Sequence, residues 1–133
     1  MHLFHCPDMA ADAVELPPEE GHHALAVLRL RAGDQVGLLD GCGTKALGEL
    51  IGLAKRSVTV RVLERRLLPP ERAARIHLAV APTKQMERFE WFVEKAVEVG
   101  VDRIIPLRTE RTERSTLRHD RLLRVAVAAQ KQS

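Results

Sequence analysis

Residues 76–107 read IHLAVAPTKQMERFEWFVEKAVEVGVDRIIPL and predict a strand, a helix and a second strand. The run 76–81 is mostly apolar, which is typical of a buried parallel strand. A helix is expected over 85–99, where apolar residues recur at helical spacing, closed by Gly100. The apolar positions are Met86, Phe89, Val93, Ala96 and Val97, with Phe92 and Val99 widening the stripe. With a strand at 104–107, the segment predicts a right-handed βαβ unit.

A further helix is predicted from His119-Asp120 onward. Its apolar face comprises Leu122, Val125, Ala126 and Ala129. Two parallel strands with two helices cannot shield both faces of a sheet, because parallel sheets normally have more strands and helices on both sides. We therefore expect this second domain to be incomplete, with the rest of its core supplied by more chain or by a partner.

The first half of the chain predicts short strands around one helix. The helix is expected to begin at Pro17-Pro18, since proline suits a first helical turn, and to end around 31–34. The glycines of the Asp40-Gly41-Cys42-Gly43 segment favour a turn. Predicted strands cover residues 13–16, 36–39, 46–53 and 57–63. Several short, turn-separated strands in about 65 residues predict a small barrel.

Tandem prolines in the 67–72 stretch mark the predicted boundary between two domains, 1–70 and 71–133. The 133 residues are 45% hydrophobic and 29% charged, which excludes disordered and collagen-like classes. No apolar run approaches the ~18 residues of a membrane span, and no secretory signal is visible, so we expect a cytoplasmic protein. Cys6 and Cys42 are expected to be reduced thiols.

The charge is uneven along the chain. Residues 1–70 carry 8 basic and 9 acidic side chains, whereas 71–133 carry 13 and 9. The arginines that recur every three to five residues are Arg103, Arg108, Arg111, Arg114, Arg118, Arg121 and Arg124. Such a surface suits phosphates, although an arginine-rich composition can also reflect a GC-rich genome. Aromatic residues make up 3%, too few for a module that stacks unpaired bases.

Other polar clusters carry weaker signals. His22-His23 with His5 and Cys6 lacks metal-ligand spacing, because adjacent helical side chains point about 100° apart, and no metal is predicted. The 40–43 turn lacks the features of a phosphate loop. A hydrolase is disfavoured because no acid is placed to orient His119 beside Ser115 and Thr116. The remaining cluster is the stripe Glu90, Glu94 and Glu98, interpreted as a solvated face, with Trp91 as a possible contact surface.

An ordered set of motifs goes beyond composition. The first is EGHHALAVLRLRAGD at 20–34, followed by DGCG at 40–43. Further along come APTK at 81–84, RFEWFVEKAVEVGV at 88–101, IIPL at 104–107, TER at 109–111 and AQKQS at 129–133. Taken together, the set resembles the N-terminal part of the ribosomal RNA small subunit methyltransferase E family.

The resemblance implies an α/β protein with a β-barrel: an N-terminal PUA-like RNA-binding barrel, 1–70, and the first βαβα part of a SPOUT (trefoil-knot) methyltransferase domain, 71–133. Family members transfer a methyl group from S-adenosylmethionine to N3 of a uridine in 16S ribosomal RNA of the small ribosomal subunit, as homodimers. The cofactor-binding knot segment is expected beyond Ser133. The 133 residues alone are therefore expected to be inactive and to bind no cofactor.

Within the matching motifs, four residues are candidates for RNA binding. Lys84 and Arg111 lie near predicted strand ends, where parallel sheets place functional groups. Arg29 and Arg31 lie at the helix end of the barrel and suit phosphates. A surface ion pair of Arg111 with Glu110 or Glu113 is an equally good interpretation. No catalytic residue is assigned, and a non-catalytic RNA-binding module remains the alternative function.

Overall fold

The structure, a computed structural model, describes residues 1–69, 73–112 and 116–132. It divides into two compact units, Met1–Pro70 and Glu71–Ser133. The end of the predicted 67–72 connector, and Glu113, Arg114 and Ser115, lie outside the described residues.

The first unit contains a five-stranded sheet. Its strands are β1 (Leu3–His5), β2 (Ala13–Glu15), β3 (Gln35–Leu39), β4 (Thr44–Ala54) and β5 (Ser57–Leu67). They lie in the order β1-β3-β4-β5-β2, with β1 parallel to β3 and every other pair antiparallel. Register shifts along the β4–β5 pairing mark bulges that bend the long hairpin.

All five strands contribute to one core, as a small barrel requires. In β5, Val58 and Val60 are buried and alternate with half-buried residues. Strand residues of the core are Phe4, Val14, Val36, Leu38, Ala46, Leu50, Val58 and Val60. Most of β5 beyond Val62 is exposed, so the core occupies only the first half of that strand.

Helix α1 (Pro18–His22) begins at the predicted prolines. It continues as a π-helical turn, His23–Val27, which buries Ala24 against the barrel core. The helical segment therefore stops before residues 31–34, where the sequence had placed its end.

The predicted turn after β3 is present. Its glycines have positive φ, 80° at Gly41 and 106° at Gly43. Asp40 Oδ1 accepts hydrogen bonds from the backbone N–H groups of Cys42 (2.7 Å) and Thr44 (2.9 Å). Partial burial opposes ionisation of Asp40, but these hydrogen bonds outweigh it and lower the pKa of the carboxyl.

The second unit contains the predicted strands and helices. They are β6 (His77–Val80), α2 (Met86–Glu98), β7 (Arg103–Pro106) and α3 (His119–Gln132). The two strands pair in parallel, from His77 opposite Arg103 to Val80 opposite Pro106. Gly100, at φ 83°, follows the end of α2 as predicted.

The core of this unit lies between the helices and one face of the strand pair. Phe89 and Val93 of α2 and Leu122 of α3 are buried there, and Val80 and Ile104 pack against them. The expectation that 76–81 is a buried strand is wrong, because its residues alternate between exposed and partly buried on a sheet that is covered on one face. Val99 is 70% exposed and does not widen the buried stripe of α2.

Candidate functional site

The loop between the π-helical turn and β3 presents two of the predicted RNA-binding arginines. Leu28 and Leu30 pack against the barrel core, whereas the intervening Arg29 and the following Arg31 are exposed. Arg29 has φ 54°, the only positive φ of a non-glycine residue in the described ranges. A left-handed backbone lets a helical segment end in one residue, at a strain of about 1–2 kcal/mol for a residue other than glycine.

Hydrogen bonds on both sides hold this loop in place. Leu28 N–H donates to the His23 carbonyl and Leu30 N–H to the Ala24 carbonyl, each at 3.0 Å. Asp34 closes the far end, since its Oδ2 accepts from Arg31 N–H at 2.7 Å and its own N–H donates to the Arg31 carbonyl at 3.1 Å. The loop is thereby fixed before any ligand arrives.

The same loop is attached to β4. Gly33 N–H donates to the Leu50 carbonyl at 2.8 Å, and Leu50 N–H donates to the Asp34 carbonyl at 3.0 Å. Across the described part of the chain, no carboxylate forms an ion pair with the guanidinium of Arg29 or Arg31. Two uncompensated positive charges on a fixed loop are well suited to an anionic ligand.

Lys84 and Arg111 lie in the second unit. Lys84 follows β6 and Arg111 follows β7, so both loops leave the parallel strand pair at its carboxyl edge. Thr109 N–H donates to Thr112 Oγ1 at 2.8 Å, which fixes the turn carrying Arg111. Arg111 forms no ion pair with Glu110 within the described chain. The structure thus brings Lys84 and Arg111 to one edge, and Arg29 and Arg31 to one loop.

The sequence did not predict how the arginines of α3 are held. Arg121 forms an ion pair with Glu90 of α2, in which Nε of Arg121 contacts Oε1 of Glu90. Its Nη2 also donates a hydrogen bond to Oε2 of Glu90 at 3.4 Å. Glu90 is therefore not part of a purely solvated stripe, since only 16% of its side chain is exposed. The pair joins residues 31 positions apart, and only the recurrence of arginines on α3 signalled a functional surface.

Two surface depressions lie in the second unit. One is an open groove along α3, and the other, beside the start of α2, is lined mainly by Lys84, Gln85, Met86, Glu87, Glu90 and Arg121. A purine ring needs enclosed, largely apolar walls. We assign no cofactor contact to these residues. Every helix in the described ranges is too short or too polar to span a lipid bilayer.

Comparison with known families gives two matches in order along the chain. A model described as an RNA methyltransferase PUA domain matches residues 16–63, and one described as an RNA methyltransferase domain matches residues 70–133. The curated "Ribosomal RNA small subunit methyltransferase E" of Rickettsia conorii is 30% identical over 112 residues, which is 84% of this chain and 45% of that protein. The chain spans about half the length of the curated relatives it matches.

Solved structures agree with these matches. A probable rRNA-methyltransferase from Porphyromonas gingivalis superposes with a TM-score of 0.91 at 40% identity, covering 100% of this chain and 56% of that one. The ribosomal RNA small subunit methyltransferase E of Neisseria gonorrhoeae, solved bound to S-adenosyl methionine, has a TM-score of 0.82 at 27% identity, covering 99% of this chain and 56% of its own.

Proposed function

The chain belongs to the ribosomal RNA small subunit methyltransferase E family, and from this premise we propose that it is part of an enzyme that transfers a methyl group from S-adenosylmethionine to N3 of a uridine in 16S ribosomal RNA. The observation that carries the proposal is the ordered match of both units to RNA methyltransferase domains. The structural relative bound to S-adenosyl methionine supports the choice of cofactor.

In this proposal the two units have different tasks. Residues 1–70 form a PUA-like barrel that holds structured RNA, and 71–133 form the N-terminal portion of the SPOUT methyltransferase domain. Arg29 and Arg31 hold backbone phosphates on the fixed loop, since both charges are exposed and unpaired within the described chain. Lys84 and Arg111 bind RNA at the carboxyl edge of the strand pair in the second unit. The complete enzyme is a cytoplasmic homodimer.

Methylation at N3 sets chemical demands. The N3 atom of uridine carries a proton on the Watson–Crick edge, so the base must be unpaired and the proton removed before the methyl group is accepted. Cationic side chains near O2 and O4 would stabilise the resulting anion. We assign the four basic residues to RNA binding, with no catalytic base among them. Cofactor binding is proposed to need parts of the family protein other than these 133 residues.

Primer extension on 16S ribosomal RNA tests the proposal. The protein isolated from its own cells is incubated with S-adenosylmethionine and small subunits that lack the modification. Methylation of N3 blocks base pairing, so reverse transcriptase is expected to stop at one uridine only when the cofactor is present. RNA binding without any such stop would contradict the proposal and favour a non-catalytic RNA-binding module.

The binding role of the barrel loop is tested in the same assay. The double variant Arg29→Ala/Arg31→Ala is expected to raise KM for the ribosomal substrate and to leave kcat nearly unchanged, because phosphate contacts position the RNA without touching the reacting base. Arg66→Ala is the matched control. Arg66 pairs with Glu64 at 3.3 Å and lies opposite Lys45, near the far end of β3, ~13 Å along the strand from the loop.

A further inference from the structure

Helix α3 carries a groove in the second unit that none of the family motifs includes. Its lining consists of three arginines and two small apolar residues: Arg118, Arg121, Arg124, Val125 and Ala128. We call it the arginine groove. Arg118 directly precedes α3, and at about 100° per residue the other four positions lie on one face of the helix, beside the stripe that buries Leu122 and Ala129.

Two carboxylates hold these arginines in position. Asp120 Oδ2 lies 3.5 Å from Nη2 of Arg118 and 3.0 Å from Nη2 of Arg124, so one carboxylate is shared between two guanidinium groups. Glu90 forms an ion pair with Nε of Arg121 and accepts a hydrogen bond from its Nη2. The three arginines therefore face two carboxylates, and the groove retains one positive charge in excess.

The shared carboxylate is replaceable. Arg118, Asp120 and Arg124 have side chains 66%, 60% and 59% exposed, and exposed ion pairs contribute only ~0–1 kcal/mol. Asp120 remains ionised, because the backbone N–H of Arg121 and the two guanidinium groups lower its pKa. A phosphate accepts hydrogen bonds from guanidinium groups in the same planar arrangement as a carboxylate. Its negative charge also balances the positive charge that the groove has in excess.

We propose that the arginine groove binds a backbone phosphate of RNA, with Arg118 and Arg124 exchanging their contact with Asp120 for the phosphate. The inference rests on the proposed function, since it takes RNA as the ligand. It adds a second contact, in the methyltransferase unit, that is independent of the barrel loop. In the free protein Asp120 pairs with both guanidinium groups, so it competes with the phosphate for them.

Opposite effects of two substitutions test the proposal. Binding of a fluorescein-labelled RNA hairpin to the full 133-residue chain is measured by anisotropy over a range of salt concentrations. Arg118→Gln/Arg124→Gln is expected to weaken binding about tenfold and to reduce the salt slope by about 1. Asp120→Asn is expected to strengthen binding about two- to fivefold, because it removes the competing charge without removing an arginine.

Arg75→Gln is the matched control, since Arg75 is an exposed arginine that precedes β6 and does not line the arginine groove. Circular dichroism checks that each variant is folded. If the double variant and Arg75→Gln bind RNA equally, or if Asp120→Asn also weakens binding, the groove is not a phosphate site. If the variants change binding of polyglutamate but leave RNA binding unchanged, the groove serves an acidic protein and the proposal is overturned.

Failure of this inference is separable from failure of the proposed function. If Arg118→Gln/Arg124→Gln leaves RNA binding unchanged while Arg29→Ala/Arg31→Ala weakens it, the proposal for the arginine groove is overturned and the proposed function is not. A chain that binds no RNA under any salt condition would overturn both.

Discussion

A pair of glycine substitutions separates the role of the barrel loop in RNA binding from its role in folding. Gly33 has φ 94° and Gly43 has φ 106°. A methyl group added at either position would meet no other atom within 4 Å, so the change introduces backbone strain and no collision. For a residue with a Cβ, that strain amounts to about 1–2 kcal/mol. Gly33→Ala and Gly43→Ala should therefore destabilise the barrel by similar amounts.

Their effects on RNA binding should differ. Gly33 lies two residues after Arg31 and donates its N–H to Leu50, so relief of the strain displaces the loop that presents the arginines. If binding must restore the original loop, the whole strain energy of about 1–2 kcal/mol is lost from affinity, which corresponds to about a 5- to 30-fold weaker Kd. Gly43 belongs to the turn after β3 and should leave the Kd unchanged.

The assays must report on the first unit. Trp91 is the only tryptophan of the chain, which has no tyrosine, and it belongs to the second unit. Tryptophan fluorescence would report on the second unit, so urea unfolding is followed by far-ultraviolet circular dichroism instead. Amide exchange of Leu50 N–H is the local probe of the loop in the first unit. The reasoning is refuted if both variants weaken RNA binding equally, or if Gly33→Ala speeds Leu50 exchange and leaves the Kd unchanged.

Two further predictions concern stability of the barrel. Arg65 donates hydrogen bonds to three backbone carbonyls: its Nε donates to that of Met9 at 2.8 Å, and its Nη2 donates to those of Ala10 and Ala11. Because Arg65→Met removes these bonds, it should lower the unfolding free energy by about 1.5–3 kcal/mol in urea titrations. Arg66→Met, which removes one exposed ion pair, should change it by less than about 1 kcal/mol. The lowered pKa of Asp40 stabilises the fold above about pH 4, and this contribution is lost as pH falls through the folded-state pKa. Asp40→Asn should therefore make the free energy of unfolding depend less steeply on pH below about pH 4. An unchanged pH dependence in this variant would show that Asp40 does not contribute to acid destabilisation.

Local patterns predicted most of the fold because they need only neighbouring residues. The period of apolar positions located α2 and α3, and proline and glycine located the start of α1 and the turn at 40–43. Strand β1 was missed, since three residues carry too little periodicity and its parallel partner β3 lies more than 30 positions away.

The missed features of the candidate site are also non-local. The left-handed backbone of Arg29 depends on hydrogen bonds to His23 and Ala24 and on the burial of its leucine neighbours, so its residue type gives no sign of it. The Arg121–Glu90 pair depends on how α2 and α3 pack. Sequence could identify the arginines as candidates but could not say which of them are already neutralised.

That distinction predicts different roles for the two basic surfaces. Arg29 and Arg31 bring full charge, because no described carboxylate opposes them, and such contacts dominate attraction at low salt and weaken steeply as salt rises. In the arginine groove, RNA must displace Asp120, so the electrostatic free energy gained on binding is smaller. The two guanidinium groups that would bind the phosphate already lie close together, since both contact the same carboxylate oxygen. The barrel loop should therefore govern the salt dependence of RNA capture, and the groove should favour one placement of the backbone once it is bound.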